Sequence, residues 1–238
     1  MEARQVSAGQ GWQWVVQGFG LFRKNPLIWL VLLAIYLIVV LVLSVIPVIG
    51  PLVSMLLAPV FSAGFLIGAK ALDQGEGLEL PHLFAGFRTN TAQLITVGGV
   101  YLVGNIVVAG AVMTLGGGSL LNMALLAPPQ ADPAMLAGAM GGMMLALLAG
   151  LLLLVPLLMA YWFAPALVVF HNMHAMDAMK LSFAACLRNM APFLVYGAAT
   201  FVLALLAMIP FGLGFLLLFP TIIASIYVSY RDVFAERG

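Results

Sequence analysis

Charge is scarce in this sequence: of 238 residues, 9 are Lys or Arg, 8 are Asp or Glu, and 64% are hydrophobic. A soluble domain is about a quarter charged. Too little polar surface exists to hold a chain of this size in water, so a bilayer must be the solvent for most of it. The net charge of +1, and the lack of any basic stripe with interleaved aromatics, exclude nucleic acid as a partner. Cysteine is nearly missing. Cys186 stands alone, which rules out internal disulfides and cysteine-based metal clusters. The first twenty-five residues hold no apolar core followed by a small-residue cleavage site, so no cleavable signal peptide is expected. P-loops, zinc-protease His-Glu pairs, nucleophile elbows and apposed carboxylates are also missing. Their lack argues against an enzyme, and no cofactor is expected.

Long apolar runs are what the sequence has in abundance. A spanning helix needs about 20 predominantly apolar residues. Runs at 27–46, 52–69, 94–115, 150–168, 193–209 and 215–230 meet that need. They predict an all-α, polytopic membrane protein with six transmembrane helices. None of these runs contains Asp, Glu, Lys, Arg or His, the residues on which ion-coupled transporters, pumps and voltage sensors usually depend. The bases fall in alternate connecting segments: Arg4, Arg23 and Lys24; Lys70 and Arg88; Lys180 and Arg188; Arg231 and Arg237. All nine therefore share one side, which the positive-inside rule makes cytoplasmic. The expected setting is a bacterial inner membrane with both termini in the cytoplasm.

Each pair of runs follows a related segment: Phe19-Gly20-Leu21-Phe22-Arg23-Lys24-Asn25, Phe84-Ala85-Gly86-Phe87-Arg88-Thr89-Asn90, and Phe183-Ala184-Ala185-Cys186-Leu187-Arg188-Asn189. The even runs each carry a proline followed four residues on by alanine, at Pro59 and Ala63, Pro156 and Ala160, and Pro220 and Ala224. These ordered matches predict a tandem repeat. Its unit is an amphipathic elbow plus a helical hairpin, at about 8–72, 80–170 and 174–234. Copies with an even number of crossings share one orientation, so an axis along the membrane normal can relate them.

In the first elbow Trp12, Val15, Val16, Phe19 and Phe22 form an apolar face, opposite Gln10, Gln13 and Gln17. In the third, Met176, Met179, Phe183, Cys186 and Met190 share a face. Such helices are expected in the interfacial plane, with apolar side chains among the acyl chains and bases near anionic headgroups. The middle copy carries an apolar insertion at about 115–148, interrupted by Gly116-Gly117-Gly118 and Pro128-Pro129. A short helix near 119–126 and a helical extension of the fourth span are expected there. Apolar surface so placed needs lipid, another subunit or the protein's own helices to cover it.

Small residues recur every fourth position at Gly138, Gly142, Ala146 and Gly150, and on a smaller scale at Gly64 and Gly68, matched by Ser225 and Ser229. Such spacing lets two helices approach closely. It serves either packing within the chain or a homo-oligomer seam. Asn105 is the side-chain amide placed deepest in the bilayer, with Tyr36 and Tyr101 at similar depth. These three are the candidate binding residues. They either line a solute path or hydrogen-bond between helices. Pro59, Pro156 and Pro220 each remove a helical hydrogen bond and should kink their helices. His171, His174 and Asp177 share a helical face, but polar residues are expected at a membrane-edge turn, and no metal site is expected. Asp73, Glu76 and Glu79 read as a solvated loop.

The segments GWQWVVQGFGLFRKNP, LFAGFRTNTAQL, YWFAPALVVFH, AMKLSFAACLRN and SYRDVF, in that order, resemble an uncharacterised family of six-helix proteobacterial inner-membrane proteins. The resemblance covers nearly the whole chain and implies an integral membrane protein. More distantly, the layout is similar to the membrane domain attached to some bacterial glycerophosphodiester phosphodiesterases. Nothing in these residues resembles the catalytic barrel of those enzymes, so their activity is not implied. With uncharged spans, interfacial elbows and an apolar insertion, the expected function is non-enzymatic. The chain would bind or organise lipid, or support a membrane complex, with membrane lipid, a second copy or another membrane protein as partner. The alternative is a transporter or channel for a hydrophobic or neutral solute.

Overall fold

The computed structural model describes residues 2–117 and 133–234, which contain helices and no strand. In chain order the elements are α1 (Gln10–Lys24), α2 (Pro26–Ser44), α3 (Ile49–Asp73), a 3-10 segment (Leu80–Phe87), α4 (Thr91–Val112) with a π-helical turn (Met113–Gly117), α5 (Pro133–Trp162), α6 (Ala164–His171), α7 (Ala175–Arg188), α8 (Met190–Met208) and α9 (Phe215–Phe234). Six helical stretches among the described residues are long and apolar enough to cross a membrane. They coincide with the apolar runs of the sequence: α2, α3, α4 with its turn, α5 with α6, α8, and α9. Asn25 opens α2 by accepting the Ile28 N–H, and Pro26 fills the first turn, where a missing N–H costs nothing.

The fourth run carries the expected helical extension: its helix begins at Pro133, before 150, because no further proline intervenes between 133 and 156. The helices stay continuous through Pro59, Pro156 and Pro220. A break lies at Phe163, between α5 and α6. Pro165 has no N–H to offer the Tyr161 carbonyl. The Ser182 hydroxyl of α7 enters the ladder beside it, accepting the Phe163 N–H at 2.9 Å and donating to the Met159 carbonyl at 2.6 Å. A side chain inserted into the i to i−4 ladder is a recognised cause of a helix break.

The chain divides into two compact units, Met1–Gly99 with Met159–Gly238, and Val100–Leu158. In the second unit the end of α4 and the body of α5 approach closely. A Cβ added to Gly116 would fall 1.8 Å from the Gly142 carbonyl oxygen, and one added to Gly150 would fall 3.0 Å from a Val112 methyl. The amino-terminal half of α5 exposes Met140, Met144, Leu147 and Leu148. The helix expected near 119–126 and the break at Pro128-Pro129 lie outside the described residues.

In the first unit, the segments that precede the odd spans each pack on an even span. A Cβ on Gly18 of α1 would lie 2.7 Å from the Thr221 carbonyl of α9, and one on Gly11 would lie 2.1 Å from the Pro192 carbonyl of α8. The 3-10 segment lies on α3, where a Cβ on Gly64 would meet the Leu83 carbonyl at 2.3 Å and one on Gly86 the Val60 carbonyl at 2.1 Å. The third segment, α7, reaches the α5–α6 junction through Ser182. The second elbow thus sits on the second span, the third on the fourth, and the first on the sixth.

The elbow faces need correction. Against the protein, α1 buries Gly11, Trp14, Val15, Gly18, Leu21 and Phe22, leaving Trp12, Val16 and Phe19 exposed. The α7 helix buries Ala175, Ala178, Met179, Ser182, Ala185 and Cys186, and Met176 and Met190 are exposed. Small residues decide which side faces protein, because they let backbones meet. Large apolar residues serve equally well toward lipid.

Candidate functional site

The best-built feature of the first unit is the seat of α1. Its glycines bring it into backbone contact with α8 and α9, and polar groups fix its ends. Trp14 Nε1 donates to Asp232 Oδ2 at 3.0 Å, and Lys24 Nζ donates to the Leu72 carbonyl at 2.7 Å. Arg231 Nη2 donates to Gln17 Oε1 at 2.7 Å, while its Nη1 donates to both carboxylate oxygens of Asp73 at 2.8 Å. Tyr227 adds a hydroxyl donated to Asp73 at 3.1 Å. One cluster thereby ties α1, the end of α3 and the end of α9. The Asp73–Arg231 pair is partly exposed and well hydrogen-bonded, so neither charge is stranded in hydrocarbon.

The residues before α1 are held as firmly. Asn189 is fully buried. Its Oδ1 accepts the Val6 N–H at 2.9 Å, and its Nδ2 donates to the Arg4 and Ala185 carbonyls at 3.0 and 2.9 Å. The Arg4 N–H donates to the Val233 carbonyl at 3.0 Å, and the Arg4 guanidinium to that of Asp232. The related Asn90 donates to the Val168 carbonyl and to Asn172 Oδ1, at 3.1 and 2.7 Å. The elbow asparagines therefore act as junction residues, each satisfying backbone that the helix ends leave open.

On the other side of α1 is an apolar groove of about 450 Å³, walled by Trp12, Val16 and Phe19 and by residues of α8 and α9. Its only polar lining side chain is Thr221, whose hydroxyl is turned to the Leu217 carbonyl of its own helix. A smaller cavity of about 170 Å³ lies among α2, α3, α9 and residue 161. Tyr36 lines it beside Phe61 and Phe65, with ring centroids 5.4 and 5.9 Å away. Trp29 stacks on Phe65 at 6.2 Å.

Asn105 and Tyr101 belong to the second unit. There Asn105 Nδ2 donates to the Tyr101 carbonyl, 2.8 Å away and one turn earlier on the same helix. Tyr36 belongs to the first unit. Of the small-residue positions, Gly142 and Gly150 meet the Gly116 and Val112 region, Ala146 is buried, and Gly138 has open space at its Cα. Gly64 and Gly68 receive the 3-10 segment and the preceding Leu78, with a Cβ on Gly68 lying 2.5 Å from Leu78 Cδ1. Ser225 is buried against the Tyr196 hydroxyl at 2.7 Å. His171 Nε2 lies 2.6 Å from the Tyr230 hydroxyl, and His174 stands at the start of α7.

Sequence reasoning did not single out Trp14, Gly18 or Ser182; it had Asn189 only as the shared asparagine of the third elbow, and it placed Asp73 in a solvated loop, whereas Asp73 ends α3 and pairs with Arg231. The legible signal for the first two was Gly11 and Gly18, two turns apart on an otherwise bulky helix. Cys186 is buried near the Met159 carbonyl, and burial pushes its thiol up to about 12, against a smaller opposing hydrogen bond with Ser182.

No family model and no solved structure matches the chain. A probable inner membrane protein of Burkholderia thailandensis is 34% identical to it over 222 residues, covering 91% of this chain and 81% of that protein. Similarity of that extent, on a fold with six membrane-length helices, shows that the chain belongs to the family of this probable inner membrane protein and is a multi-pass protein of the inner membrane.

Proposed function

We propose that this protein is a non-enzymatic lipid-organising scaffold of the inner membrane, built from three elbow-plus-hairpin repeats with both termini in the cytoplasm. The observation that carries this reading is α1. One side of it is locked into α8 and α9 at backbone contact, while Trp12, Val16 and Phe19 remain exposed on the other. A helix with a protein face, an apolar exposed face and a glutamine face suits the plane of a leaflet. Support for the repeats comes from the cyclic seating of elbows on even spans. Support for the orientation comes from the one-sided bases, two of which, Lys24 and Arg231, engage residues 72 and 73 together. The exposed Met140, Met144, Leu147 and Leu148 offer a surface that lipid, a second copy or another membrane protein would cover. The distant resemblance to the membrane domain of glycerophosphodiester phosphodiesterases is carried as one of layout, without activity.

A transporter for a neutral solute is the second reading. The cavity at Tyr36 favours it by position and disfavours it by size, since about 170 Å³ is below the roughly 300–1,000 Å³ of ordinary ligand pockets. The test is to purify the intact protein in mild detergent, wash it, and quantify retained phospholipid beside a flux assay in liposomes. Retained lipid without flux is the expected result. Lipid-free protein that carries solute would overturn the proposal.

A further inference from the structure

We propose that the groove beside α1 holds an acyl chain of an anionic phospholipid whose phosphate is bound by Arg23. This rests on the lipid-organising reading above and names the lipid. The groove's volume of about 450 Å³ lies inside the roughly 300–1,000 Å³ range of ligand sites. Its walls are Trp12, Val16 and Phe19 of α1, Leu203 and Leu206 of α8, and Leu217 of α9. No side chain of the lining carries a charge. Such a wall offers nothing to a polar solute and suits hydrocarbon, the medium around it.

Charge beside the groove selects the rest of the ligand. Trp12, Val16, Phe19 and Arg23 follow one another at spacings of four, three and four residues, and so form one stripe of α1. The Arg23 guanidinium lies over the Phe19 ring, 5.9 Å from its centroid, and Phe19 lines the groove. Among the described residues the ion pair is Asp73–Arg231, and no carboxylate oxygen lies within 4.0 Å of the Arg23 guanidinium. Its neighbour Lys24 differs, being bonded to the Leu72 carbonyl. An apolar trough with an arginine lying over one of its wall residues, and no ion-paired carboxylate on that arginine, is complementary to an amphiphile with a negative head. The planar guanidinium fork matches a phosphate with two parallel hydrogen bonds.

The test uses intact, delipidated protein in detergent, titrated with dioleoylphosphatidylglycerol or dioleoylphosphatidylethanolamine and read by native mass spectrometry. Wild-type protein should bind the anionic lipid in preference to the zwitterionic one. Arg23→Gln should weaken phosphatidylglycerol binding by about fivefold, the loss of one basic contact at a membrane surface, and phosphatidylethanolamine binding less, because its own ammonium already offsets the phosphate charge. Val16→Trp, which fills the groove from an exposed position, should weaken both lipids. Thermal midpoints of both variants should match wild type, since both side chains are exposed. If wild type retains lipid and neither variant changes it, this groove is not the site, while the lipid-organising reading stands. If wild type retains none, both fall. A dimer carrying no lipid would assign the groove to a second copy and overturn the proposal.

Discussion

Ser182 holds Phe163 out of its own helix: the hydroxyl accepts the Phe163 N–H that would otherwise bond the Met159 carbonyl four residues back. Two helices that read as one apolar run are thereby separated, and α7 is pinned at the gap. Replacing Ser182 by alanine leaves a buried donor and acceptor to find each other or go unpaired. The expected cost is about 1–3 kcal/mol. A midpoint a few degrees lower in detergent thermal unfolding would bear this out, and an unchanged one would refute it.

Glycines of α1 give a sharper contrast. A methyl on Gly18 would meet backbone and Cβ atoms of α9 at 2.7–2.8 Å, whereas Gly20 has open space. Gly18→Ala should destabilise by about 1–3 kcal/mol through forced backbone shifts. Gly20→Ala should stabilise by roughly 0.5–1 kcal/mol through helix propensity. Unfolding midpoints that move in the same direction for both would contradict the close seat of α1.

The six spans were legible in the sequence, because six uncharged runs of membrane length leave few other arrangements. The elbow faces were less so. Trp12 and Trp14 are equally apolar, yet one is exposed and the other fully buried. In hydrocarbon, apolarity does not separate a protein neighbour from a lipid one. The break at Phe163 was hidden for a different reason: its cause lies partly on residue 182, which no local pattern near 163 reveals. Asn105 was visible as a deep amide, but its bond to the Tyr101 carbonyl on the same helix is one of several that its spacing allows.

Cys186 should be inert in the folded protein. The thiolate is the reactive form, and with the thiol pushed up to about 12 almost none exists at neutral pH. N-ethylmaleimide should label the protein only after denaturation. A thiol free at about 8.5 when unfolded contributes fully below that value, and the contribution is lost as pH rises toward 12. Rapid labelling of native protein at neutral pH would disprove the burial.

Orientation is testable in a Cys186→Ser background. Phe211, fully exposed between α8 and α9, and Glu76, exposed after α3, lie at opposite ends of the hairpins. In intact spheroplasts a membrane-impermeant maleimide should label Phe211→Cys at once and Glu76→Cys only after permeabilisation. The reverse pattern would invert the assigned topology.

The seating of α1 on α9 also sets a timetable for biogenesis. Gly18 emerges from the ribosome about two hundred residues before its seat at Thr221 and Ser225. A contact of such long sequence separation forms only late in folding. Until residues 215–234 have been synthesised, Gly18 has no backbone to meet, and α1 can rest only on α8 through Gly11 and Trp14. Closure of α1 on α9 is thus a physical signal that α9 has been made and inserted.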